Sequence, residues 1–160
     1  MSTPVCELLG IEQPIVQAPM AAIPQLAAAV SNAGALGMVT LTWSDDAGAV
    51  VRETATLTER PFGGNFVLTS DHHHHLDQAL EAGLRIVSFM WGDPSGYIKP
   101  VHEAAGIVMH TVGSAEEARR AVGCGVDVIV AQGWRAGMCG DLSPRCRWSR
   151  RWRTRSRRCR

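Results

Sequence analysis

Residues 85–131 read RIVSFMWGDPSGYIKPVHEAAGIVMHTVGSAEEARRAVGCGVDVIVA, and this stretch decides the fold. Three short apolar runs, Arg85–Phe89, Ile107–Thr111 and Asp127–Ala131, are separated by two segments, Tyr97–Ala105 and Ser114–Val122, whose apolar residues recur at helical spacing. The runs are apolar on both faces, as a parallel strand covered by helices must be. Ser114 followed by Glu117 is a capping box that starts the second helix. Gly106, and Gly123 or Gly125, fit helix exits.

The same alternation extends toward the N-terminus. Pro14–Ala18, Leu36–Thr40 and Gly64–Leu68 read as strands, with helices over Gln25–Ala33, Asp45–Glu59 and His72–Ala82. Gly34 and Gly83 fit the exits of the first and third of these helices, and Asp71 is placed to cap the third. The expectation is six βα units of about 20 to 25 residues each. Strand, helix and parallel strand in series permits an open doubly wound sheet or a closed (βα)8 barrel. Six units are too few to close a barrel, which typically takes about 250 residues.

The 160 residues, 46% of them apolar, have room for one buried core. The net charge of +1 conceals a split. Residues 1–140 carry seven basic and fourteen acidic side chains, whereas residues 141–160 carry nine arginines and Asp141. No apolar run is long enough to span a membrane, and the N-terminus lacks a signal-peptide pattern, so a cytoplasmic enzyme is expected. Five cysteines without CxxC spacing read as free thiols, and no metal site is expected. The His72–His75 run reads as a solvated helix start, since successive helical residues point about 100 degrees apart and cannot all face one ion.

Small, amide and imidazole residues gather where the strands end: Gln17 to Ala21, Asn65, Ser88 to Pro94, His110 to Gly113, and Ala131 to Gly137. βα barrels place their active sites at these ends. Asn and Gln both donate and accept, which suits the pyrimidine edge of a flavin, and glycines let a flat ring approach the backbone. Trp91 and Trp134 stand there either to shape a pocket or to cap the core.

In order and spacing, QAPMA, LAAAVSNAGALGMV, GGNFVL, LEAGLRIVSFMWGDP and AAGIVMHTVGSAEEARRAVGCGVDVIVAQGWRAG resemble the nitronate monooxygenase family, also called 2-nitropropane dioxygenases, across residues 8–137. The resemblance implies an FMN-dependent TIM barrel that oxidises nitronates with O2 to a carbonyl compound and nitrite. It puts Met20 and Ala21 beside the flavin ring, has Asn65 and Gln132 hydrogen-bond FMN, sets Gly137 in the loop beside the flavin, and turns His110 toward substrate or flavin. Four positions depart from the family pattern. Met90 stands where some members have histidine, Arg135 replaces an acid, and Met138 and Cys139 occupy the places of a glycine and the catalytic base histidine. A second reading is another FMN or phosphate-binding barrel, related to inosine monophosphate dehydrogenase. A third is a non-enzymatic remnant acting through its basic end.

Residues 138–160 lose all periodicity and place arginine at nearly every second position. A one-base slip near Gly137 accounts for this, because codons for Met138-Cys139 read one base earlier can give His-Val, restoring the expected histidine. The expectation is a partial barrel over residues 1–137, truncated to about six βα units, followed by an out-of-frame, disordered tail over 138–160. With the family's later phosphate-binding turns missing, FMN binding is expected to be weak or absent. The tail attracts polyanions without a specific nucleic-acid function.

Overall fold

A computed structural model describes residues 3–133. In chain order the elements are α1 (Pro4–Leu9), α2 (Pro24–Asn32), β1 (Gly37–Thr40), α3 (Ala47–Leu57), β2 (Phe62–Val67), α4 (His73–Glu81), β3 (Ile86–Met90), α5 (Ser95–Glu103), β4 (Ile107–Val112), α6 (Ala115–Cys124) and β5 (Val128–Ala131). The strands form one sheet in the order β1-β2-β3-β4-β5, and every neighbouring pair is parallel.

Local chemistry sets the helix ends. The Asp46 carboxylate accepts the Ala49 N–H at 2.8 Å, and the Ser114 hydroxyl accepts that of Glu117 at 3.2 Å. Glu117 reaches back to the Gly113 N–H at 2.8 Å, one residue before the position a capping box uses. Gly83 and Gly125 leave their helices at φ near +100°, a conformation that costs an L side chain strain. At the end of α5 it is Ala105, at φ +56°, and not Gly106 that takes the left-handed turn.

The pleat sorts side chains to two faces. Val39, Leu41, Phe66, Val87, Phe89, Val108 and Val112 pack against residues of α2 to α6 in the larger core. Met38, Ile86 and Met109 point the other way, into a second cluster closed by Cys6 and Leu9 of α1 together with Ile11 and Leu36. Helix α2 and the four inter-strand helices α3 to α6 therefore share one face, and sequential strand order follows. A doubly wound sheet carries helices on both faces and reverses its order, so this is the barrel arrangement.

Two expectations change. Pro14–Ala18 forms a single bridge, Val16 to Leu36, where a full strand was expected. Pro14 and Pro19 bracket it without N–H groups. Within it, Leu36 N–H donates to Ile15 O and Gln17 N–H to Leu36 O, each at 2.9 Å. The next ladder position is filled by the Gln17 side chain, which donates to Met38 O at 3.1 Å and accepts from Met38 N–H at 3.3 Å. The described residues thus hold five laddered strands, not six. Helix α1 was not expected, although Thr3 caps it, Pro4 occupies its first turn and Gly10 ends it at φ +68°.

No helix among the described residues is long and apolar enough to cross a membrane.

Candidate active site

The C-terminal ends of the strands converge on one row of the sheet's inner face. Thr40 pairs in register with Asn65, and Asn65 with Ser88, on the same pleat as Met38 and Ile86. All three are buried, Asn65 to 3% exposure. Asn65 Nδ2 donates to the Ser88 carbonyl at 3.1 Å and to its hydroxyl at 3.3 Å. This fixes the amide and leaves Oδ1 uncommitted among the described residues. One step below the row lie Met38 and Ile86, so a polar band sits directly on an apolar floor.

Met20 and Ala21 are brought to the edge of this band. The Ala21 carbonyl accepts the Thr40 N–H at 3.3 Å, which ties the segment after the Val16 bridge to the end of β1. Met20 is 72% exposed, and Trp43 and Trp91, just past β1 and β3, are also exposed. These three exposed large apolar residues all lie on segments that flank the strand ends. Trp91 holds φ +60° beside Gly92 at +56°, where a Cβ would lie 2.5 Å from the Leu68 carbonyl. A bulky residue in the left-handed region is strained, and such strain concentrates at functional sites.

Gln132 is half-buried beyond β5, its N–H donating to Val112 O at 3.0 Å. Three strand spacings, roughly 14 Å along the sheet, separate it from the Asn65 strand. Gly137 and Cys139, like Trp134 and Arg135, lie outside the described residues.

His110 pairs in register with Phe89, so it stands on the helix-side pleat, opposite to Asn65 and Ser88. Burial pulls its pKa below the ordinary 6.5, while the Phe89 carbonyl, Glu117 and Asp93 pull it back up. Its Nδ1 is buried without a partner among the described residues. Asp93 is held below the usual carboxylate range, first by the Ser95 backbone N–H and then by the Ser95 side chain.

The histidine run divides along its helix. His72 is buried, contrary to the solvated start expected, with Nε2 3.1 Å from the Val67 carbonyl and 3.2 Å from the Ser70 hydroxyl. His73 stacks on Tyr97 at 4.1 Å and pairs with Asp71, and His74 contacts Gln78 at 3.2 Å. Among the described residues no group of three or more His, Cys, Asp or Glu is arranged to hold a metal.

Ser88 was expected only as one of the residues gathered at the strand ends, and Thr40 was not expected at the site at all. The signal was present in the alternation, because counting two residues on from Met38 and from Ile86 lands on both.

A parallel sheet with all its crossover helices on one face, and polar groups at its strand ends, defines part of a βα barrel. The chain belongs to the nitronate monooxygenase family, whose model matches residues 2–78 and 68–146. It is 32% identical over 143 residues to (3aS,4S,5R,7aS)-5-hydroxy-7a-methyl-1-oxo-octahydro-1H-indene-4-carboxyl-CoA dehydrogenase of Rhodococcus jostii, covering 86% of this chain and 40% of that protein. It is 36% identical over 174 residues to nitronate monooxygenase of Paraburkholderia phytofirmans, covering 81% and 48%. Its fold superposes on FabK from Thermotoga maritima with a TM-score of 0.79 at 35% identity, covering 83% of this chain and 44% of that one. The chain therefore spans less than half the length of these relatives. The family implies a flavin, and the residues present fit one: a rigid amide with a free acceptor and a buried, unpaired hydroxyl stand side by side at the strand ends.

Proposed function

We propose that this chain is the first part of an FMN-dependent oxidoreductase that oxidises nitronates with O2 to a carbonyl compound and nitrite in the cytoplasm. The observation that supports this reading is the buried Thr40, Asn65 and Ser88 row at the edge of Met20 and Ala21, in a chain of this family. FMN, when bound, supplies the electron-transfer chemistry. Asn65, oriented by Ser88, and Gln132 hydrogen-bond it, while Met20, Ala21 and Gly137 border the ring. His110, which the resemblance turns toward substrate or flavin, stands on the helix-side pleat of β4, opposite to Asn65 and Ser88, and we assign it no contact with the ring. Cys139 stands where the resemblance places the base histidine. A thiol serves as a base only as its thiolate, and we expect the exchange of histidine for cysteine to slow turnover by this chain.

The test is O2 uptake with propyl-2-nitronate in the presence of FMN, read beside nitrite release. Nitrite released with O2 consumption supports the reading, and its absence at saturating FMN and substrate overturns it. A second reading, dehydrogenation of a cyclic hydroxy-acyl-CoA ester, is favoured by the 32% identity to the Rhodococcus enzyme. Turnover of such an ester without turnover of the nitronate selects it.

A further inference from the structure

Among the described residues four threonines are buried, and three have their hydroxyls satisfied within the fold. Thr42 accepts the Val67 N–H at 2.8 Å, Thr54 donates to Val50 O at 2.8 Å, and Thr58 donates to Asn32 Oδ1 at 2.6 Å. Thr40 is the exception: its Oγ1 is buried without a partner among the described residues. A buried hydroxyl left unpaired is destabilising, and native proteins keep few such groups without a reason.

Its surroundings supply the reason. Thr40 lies between Ala21, whose carbonyl accepts its N–H, and Asn65, its register partner on β2. Both neighbours are residues the flavin reading uses. The same pleat carries Met38 below it, so the hydroxyl marks the step from apolar floor to polar band. A hydroxyl donates one hydrogen and accepts at two lone pairs, matching the mixed carbonyl and nitrogen edge of a flavin ring. We infer that Thr40 is a ligand-contacting residue whose hydroxyl completes its hydrogen bonding on the bound flavin ring. This rests on the flavin reading above and adds a contact that the resemblance did not assign.

The experiment titrates the full 160-residue chain with FMN, and separately with riboflavin, following flavin fluorescence. The variants Thr40→Val and Thr40→Ser are compared with the wild type, and the melting temperature of each is measured without flavin. Loss of one net hydrogen bond predicts that Thr40→Val weakens binding roughly 3- to 10-fold, equally for FMN and for riboflavin, which lacks the phosphate. Thr40→Ser retains the hydroxyl and restores affinity. Without flavin, Thr40→Val melts at the wild-type temperature or above, because it removes an unsatisfied group. Equal flavin affinity of Thr40→Val and wild type overturns the inference and leaves the flavin reading standing. A fall of several degrees in the flavin-free Thr40→Val chain also overturns it, since the hydroxyl would then be partnered within the fold. If the wild type shows no saturable flavin binding, the reading and the inference fall together.

Discussion

His110 shows how one buried imidazole couples folding to pH. Its pKa in the folded chain lies below 6.5, chiefly because burial disfavours the charged ring. The unfolded chain therefore binds more protons as pH falls below 6.5, and stability declines from neutral pH downward until the folded-state pKa is passed. Urea unfolding at intervals from pH 7.5 to 5 is expected to show this decline, and His110→Asn to flatten it. An unchanged slope in the variant would assign the decline to other groups. Asp71 also loses stability on acidification, but for the opposite reason, since its charged form is favoured: its pKa is lowered to about 2, first by the His73 backbone N–H and then by the His73 side chain. The stability it contributes is present above pH 3.8 and is lost as pH falls through about 2. Because the backbone donor survives truncation of the side chain, His73→Ala should leave Asp71 titrating below 3.8 by NMR. A midpoint back at 3.8 would move the cause to the imidazole. Little of this was legible in the sequence. His110 and His72 are buried through the pairing of β4 with β3 and the packing of Phe66, and a run of four histidines carries no sign of which one turns inward.

At the scale of elements, the alternation of apolar runs with helical spacing found β1 to β5 and α2 to α6, with ends shifted by one or two residues. It failed where periodicity was absent. Six residues of α1 are too few for a pattern, and its evidence lay only in Thr3, Pro4 and Gly10. The Val16 segment failed for a different reason, since Gln17 replaces a ladder pair with its side chain. The contact between α2 and β1 rests on Gly37, where a Cβ would stand 1.9 Å from the Ala27 carbonyl and 2.7 Å from Ser31 Oγ. Backbone cannot yield as a flexible side chain does. Gly37→Ala is expected to destabilise the chain by about 3 kcal/mol or more, at or above the upper range of overpacking. Denaturant unfolding measures this, and a loss under about 1 kcal/mol would mean that α2 shifts freely on the sheet. Leu9→Ala, which opens the smaller cluster under α1, should cost roughly 2 to 5 kcal/mol.

For the whole molecule, the sequential parallel order was legible because six βα signals in series admit few topologies, and the helices' shared face then excludes the doubly wound one. The charge split belongs to this scale as well. Residues 141–160 hold nine arginines against one acid, while the rest of the chain is acidic, so the near-neutral total describes neither part. The basic residues and the strand ends act independently in this reading: one attracts polyanions through charge, the other binds a flavin through shape and hydrogen bonds. Ending the chain at residue 137 should therefore abolish retention on immobilised heparin at low salt. For the full chain that retention weakens steeply as salt rises, through counterion release. The same shortened chain should keep the flavin affinity of the full chain, because Thr40, Asn65 and Gln132 all precede the cut. A joint loss of heparin and flavin binding would show that the arginines neutralise the flavin phosphate, and the riboflavin titration would then separate from that of FMN.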